Sequence, residues 1–123
     1  MQKGLGSRSK KMTEENDYKK EDGHGSLGNV QKLVHYSNYG VLSKVLRKTD
    51  KQNITLFSMA KGTEMTEHTS TKEGYAYVLE GDGVFNLEGK DIKMVKGVLI
   101  YMKKNAVHSL KANKNTSFLL LLT

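Results

Sequence analysis

The chain has 123 residues, no cysteine, no proline and a formal net charge of +7. That length builds one hydrophobic core rather than two. The lack of cysteine excludes a disulfide framework and thiol chemistry, and no apolar run approaches the roughly 18 residues of a membrane-spanning helix.

The positive charge raises nucleic acid as a partner, but its distribution argues against one. Residues 1–28 hold 6 Lys/Arg and 5 Asp/Glu, leaving 14 and 8 for residues 29–123. The lysines are scattered singly or in pairs, and Arg47 is the one arginine of the second segment, although arginine is the usual clamp for bases and phosphates. A solvated basic surface is the expectation. No apolar stretch between Met1 and Thr13 resembles a secretory signal, so a cytoplasmic protein is expected.

Residues 1–28 are polar, charged and dotted with glycine, and Leu5, Met12, Tyr18 and Leu27 are too sparse to bury. The composition predicts a flexible tail, with His24 a loop histidine. Asn29 to His35 fits a short helical turn or a first strand equally well. After Gly40, Val41–Lys48 mixes apolar and polar positions as a half-buried strand does. Thr49 to Asn53 is a turn by composition, and Ile54–Met59 is the next strand, ended by Lys61-Gly62.

A polar loop carrying His68 follows. Tyr75–Leu79 is a near-continuous run of strand formers, a pattern that suits a strand buried on both faces. Gly81-Asp82-Gly83 reads as a hairpin turn rather than a phosphate loop, because no helix follows it. Val84–Leu87, Asp91–Val95, Val98–Met102, Val107–Leu110 and Ser117–Leu122 are short strands punctuated by glycine turns. About eight strands and no long helix predict an all-β domain that hides its edges by closure into a jelly roll or barrel. Tyr75, Tyr77 and Phe85 read as core or sheet-face packing.

Two spacings then stand out. Gly62 is followed after five residues by His68, with Ser70, Gly74 and Gly81 at fixed intervals beyond, and Gly97 precedes His108 by eleven. This pattern resembles the two cupin motifs, G-x5-H-x-H-x3-E-x6-G and G-x5-P-x-G-x2-H-x3-N, and the resemblance covers residues 29–123. Tyr77-Val-Leu-Glu-Gly-Asp-Gly83 and Ile100-Tyr-Met-Lys-Lys-Asn-Ala-Val-His-Ser-Leu110 carry it most clearly. His68 falls on the first metal-binding histidine and His108 on the third. Ser70 stands in place of the second histidine and Gly74 in place of the glutamate. Lys103 and Asn105 replace Pro and Gly, and Ala112 replaces the final Asn. Ile54-Thr-Leu-Phe57 and His68-Thr69 are similar to a subgroup of small, single-domain, functionally uncharacterised bacterial cupins, whose acidic residue five after the histidine corresponds to Glu73.

The resemblance implies a cupin jelly roll over residues 29–123, with a ligand pocket lined by His68, Ser70, Ala76, Val78 and His108. His68, His108 and Glu73 together would be two imidazoles and a carboxylate, the donor set of a facial triad for a divalent transition metal such as Fe, Mn, Ni or Zn. Strand alternation works against that set, since an inward Gly74 turns Glu73 outward unless a bulge intervenes. Three functions stay open. One is binding, or metal-assisted chemistry, on a small organic ligand such as a sugar or carboxylate. The second is a non-enzymatic ligand-sensing module. The third is a metal-free isomerase or lyase using the two histidines as acid and base. Relatives commonly dimerise, and a homodimer is expected here, with Phe118–Leu122 as core or interface.

Overall fold

The computed structural model describes residues 24–123. Most of the predicted tail lies outside these residues, and 24–28 are exposed. A four-residue helical turn, α1 (Val30–Leu33), precedes nine strands. These are β1 (Val41–Lys48), β2 (Asn53–Met59), β3 (Glu64–His68), β4 (Gly74–Glu80), β5 (Asp82–Leu87), β6 (Lys90–Val95), β7 (Leu99–Met102), β8 (His108–Ala112) and β9 (Thr116–Leu122). No described helix is long and apolar enough to cross a membrane.

The strands form two antiparallel sheets, one of five in the order β1-β2-β9-β4-β7 and one of four in the order β3-β8-β5-β6. Alternation along the strands fills the space between them. Phe85 of β5, Met94 of β6, Ile100 and Met102 of β7, Leu110 of β8 and Phe118 of β9 point inward beside Met59, Ala76 and Val78. Phe118 stacks on Phe57 at 5.1 Å between ring centroids, a separation at which aromatic pairs attract beyond their simple area burial. This closed all-β jelly roll is the predicted architecture.

Three local expectations need correction. The predicted loop before His68 is in fact strand β3, which polar composition concealed because four of its five side chains are exposed. Gly81-Asp82-Gly83 is not a hairpin turn. β4 and β5 belong to different sheets, and Gly81, at φ 122°, is the step from one to the other. A Cβ there would run into Thr116, so only glycine fits. The true two-residue hairpin joins Leu87 to Lys90 through Glu88 and Gly89, both at positive φ, as a type I′ turn requires.

The third correction concerns β4, which is not buried on both faces. Tyr75 and Tyr77 are each 41 % exposed and point outward, whereas Ala76 and Val78 are in the core. The outer face of the five-stranded sheet has only partial cover. Val30, Leu33 and Val34 pack over Leu46, Leu56 and Leu79, forming a second apolar cluster. Beyond it, Tyr75, Tyr77, Leu99 and Tyr101 remain in solvent.

Candidate functional site

His68 closes β3 and His108 opens β8, and the two are directly paired in register. A bulge makes that pairing. Met65 opposes Leu110, yet three residues further along β3 correspond to only two along β8. Without the extra residue Glu67 would face His108, and His68 would point to the other side of the sheet. With it, the two imidazoles meet edge to face, their centroids 4.0 Å apart and their planes at 60°.

Each ring is held the same way. His68 Nδ1 lies 2.7 Å from the carbonyl of Thr66, within the bulge, and His108 Nδ1 lies 3.0 Å from the carbonyl of Ala106. A carbonyl oxygen only accepts, so in both rings Nδ1 carries the proton. When neutral, each imidazole therefore keeps its Nε2 lone pair free.

The environments of the two rings differ. His68 is exposed. His108 is 3 % exposed and lies parallel to Phe85, at 5.7 Å and 5°. Burial pushes the His108 pKa below the ordinary histidine value. The Ala106 carbonyl opposes that shift, and the neighbouring His68 adds to it.

The other predicted positions make contacts of their own. The Ser70 hydroxyl accepts the Lys72 N–H at 3.1 Å, completing a local turn. Its carbonyl accepts the Asn105 N–H at 2.7 Å. Asn105, where the motif has glycine, takes φ 64°, the left-handed conformation that asparagine tolerates nearly as well as glycine. Ala76 and Val78, at 1 % and 0 % exposure, are packed in the core.

Glu73 turns away from the imidazoles. Its carboxylate accepts the Tyr101 hydroxyl at 2.8 Å on the outer face, and this bond chiefly pushes the Tyr101 pKa up. The bulge considered for Glu73 occurs instead in β3. Gly74 faces inward, but a Cβ there would lie 2.5 Å from Leu122 Cδ2 and 2.8 Å from the Leu121 carbonyl. Hydrocarbon fills the place of the motif's carboxylate.

No group of three or more His, Asp or Glu side chains able to hold a metal is present among the described residues. The facial triad of His68, His108 and Glu73 is therefore not assembled, and the donor set is two imidazole nitrogens. That set does not fit the three- or four-ligand metal centre that the motif implies.

Sequence reasoning missed a cavity of about 320 Å³ between the segment after α1 and strands β1 and β2. It is lined in part by Leu33, His35, Lys44 and Ser58. No local pattern in the sequence shows that this segment folds back over the sheet.

No curated protein matches the chain. Among solved structures it is similar to a conserved protein of unknown function from Streptococcus pyogenes, with 24% identity and a TM-score of 0.74, covering 82% of this chain and 89% of that one. It is also similar to a cupin 2 conserved barrel domain protein from Leptotrichia buccalis, with 26% identity and a TM-score of 0.72, over 76% of this chain and 45% of that one. An enzyme shares the fold as well. A mutant salicylate 1,2-dioxygenase from Pseudoaminobacter salicylatoxidans is 18% identical, with a TM-score of 0.62, over 68% of this chain and 26% of that one. The sequence of residues 55–123 matches the cupin domain family. That match takes in more than half of the chain and agrees with the two-sheet closure described above, so the protein belongs to the cupin family.

Proposed function

We propose that the protein binds a small organic ligand rich in hydroxyl groups, such as a sugar or hydroxy acid, at the His68–His108 pair. The observation that carries this reading is the matched tautomer. Two carbonyls fix both Nδ1 protons and leave two Nε2 acceptors on rings 4.0 Å apart. Adjacent acceptors of this kind take O–H donors, and a ligand with neighbouring hydroxyls satisfies both. The test is a ¹⁵N imidazole NMR titration with a panel of sugars and hydroxy acids. Saturable Nε2 shifts that disappear in His68→Ala support the reading, and no saturable shift across the panel rejects it. Elemental analysis of protein purified without chelator belongs beside it. Near-stoichiometric metal that is lost in a His68→Ala/His108→Ala variant would replace the reading with a metal-dependent one.

The contrast between exposed His68 and desolvated His108 supports a second reading, a metal-free isomerase or lyase. Environments that separate two titratable groups are how acid and base roles are divided. Turnover that survives chelator but is lost in either single alanine variant would establish it.

The exposed row of Tyr75, Tyr77, Leu99 and Tyr101 supports a homodimer through the outer face of the five-stranded sheet. Sedimentation is expected to show a dimer that Leu99→Glu dissociates.

A further inference from the structure

The cavity of about 320 Å³ beneath the N-terminal segment is on the opposite sheet from the imidazole pair. Its floor is a two-by-two block of side chains, Lys44 opposite Leu56 and Leu42 opposite Ser58 across β1 and β2. Leu33 and His35 close it from above. Three leucines thus form an apolar wall, and Lys44 supplies an ammonium at one corner.

The polar corner is incompletely satisfied. Ser58 is 3 % exposed, and its Oγ accepts the His35 N–H at a long 3.5 Å. Beside it, Ser117 pairs with Ser58 across β2 and β9. The Ser117 hydroxyl is fully buried, but it leans toward the Tyr36 phenol and does not line the cavity. Buried hydroxyls are seldom left unpaired, because the lost hydration is not recovered. The Ser58 hydroxyl accepts only the long bond from His35, and its own O–H has no acceptor among the described residues, so an acceptor belongs next to it. The nearby ammonium favours a negatively charged acceptor, and the leucines favour one with a hydrocarbon body.

We propose that this cavity binds a small aliphatic carboxylate. Its alkyl part rests on Leu33, Leu42 and Leu56, and its carboxylate accepts from the Lys44 ammonium and the Ser58 hydroxyl. The volume lies at the lower end of small-ligand sites, which suits a chain of a few carbons.

The experiment is a titration of the ¹⁵N-labelled full chain with hexanoate, followed by amide NMR, with hexylamine as the opposite-charge probe. The expected result is saturable shifts clustered at Leu33, Lys44, Leu56 and Ser58, with none from hexylamine. Lys44→Met should weaken binding about tenfold, the size of one charge-assisted hydrogen bond. Ser58→Ala should weaken it less, and His68→Ala should leave it unchanged. Shifts confined to residues around His68 and His108, equal binding of hexylamine, full affinity in Lys44→Met, or no saturation would each overturn the proposal.

Discussion

The Asn105 N–H donates to the Ser70 carbonyl at 2.7 Å, tying the loop before His108 to the loop after His68. Asn105 makes that bond from a left-handed backbone conformation, φ 64°. Asn105→Gly is therefore expected to change stability by no more than a few tenths of a kcal/mol. Asn105→Val should cost about 1–3 kcal/mol, because a β-branched residue is strained there. Urea unfolding midpoints of the two variants check this, and equal midpoints would show that the conformation carries no constraint.

His108 gives the fold an acid limit. Its folded-state pKa lies below the unfolded value of 6.5, so the unfolded chain binds the proton more readily. The corresponding stability is complete above about pH 6.5 and is lost as pH falls through the lowered folded value. Melting temperatures measured from pH 7.5 to pH 4.5 should drop across that window in the natural protein, and the drop should shrink in His108→Gln. An equal drop in both would assign the acid sensitivity to other groups.

Phe85 sets that limit from the other side of the ring. It is 1 % exposed and stacks on His108, so Phe85→Leu reduces the cover while keeping an apolar side chain. NMR titration of His108 in Phe85→Leu is expected to show its pKa moving back toward the ordinary value, with a stability loss on the order of 1–2 kcal/mol. An unmoved pKa would show that Phe85 contributes packing alone.

Restoring the family's carboxylate should fail. Gly74→Glu places a Cβ against Leu122 and the Leu121 carbonyl, and overpacking of this kind costs about 1–3 kcal/mol or more. The Ser70→His/Gly74→Glu variant is expected to be less stable in urea and to gain no metal by elemental analysis. A stable variant loaded with metal would show that β4 and β9 can separate at this point.

Tyr36 gives the opposite, alkaline limit. Its hydroxyl donates to Glu80 at 2.6 Å, and burial followed by that bond pushes its pKa up from 10.0 to about 12. The Ser117 hydroxyl leans toward the phenol and works against the shift, but at a geometry short of a hydrogen bond. A raised pKa adds stability that is complete below pH 10 and lost as pH rises through about 12. The natural protein should therefore be more stable than Tyr36→Phe at pH 8, with the gap closing above pH 10. A gap unchanged at pH 11.5 would exclude the phenol as its source.

Much of this was legible in the sequence. β1 coincides with the predicted strand, residue for residue, because glycine and a polar turn bracket its mixed pattern. The pairing of His68 with His108 followed from motif spacing. What stayed hidden depends on contacts distant in sequence. The polar β3 is a strand because β8 pairs with it, not through its own propensity. The bulge that turns His68 toward His108 is a matter of register between two strands, which neither strand encodes by itself. Gly74 is spaced as a ligand position, yet only the approach of Leu122 shows that hydrocarbon fills it.

The place of β9 in its sheet bears on how the molecule is made. It is the last strand in chain order and yet lies between β2 and β4, pairing with Ile54 on one side and Tyr75 on the other through the single residue Leu121. During synthesis the two flanking strands emerge well before the one that joins them. Each then waits with an unpaired edge, the feature that invites association between chains. Productive folding of this barrel is thus tied to completion of its final strand, and the interval before completion is when nascent copies are most exposed to one another.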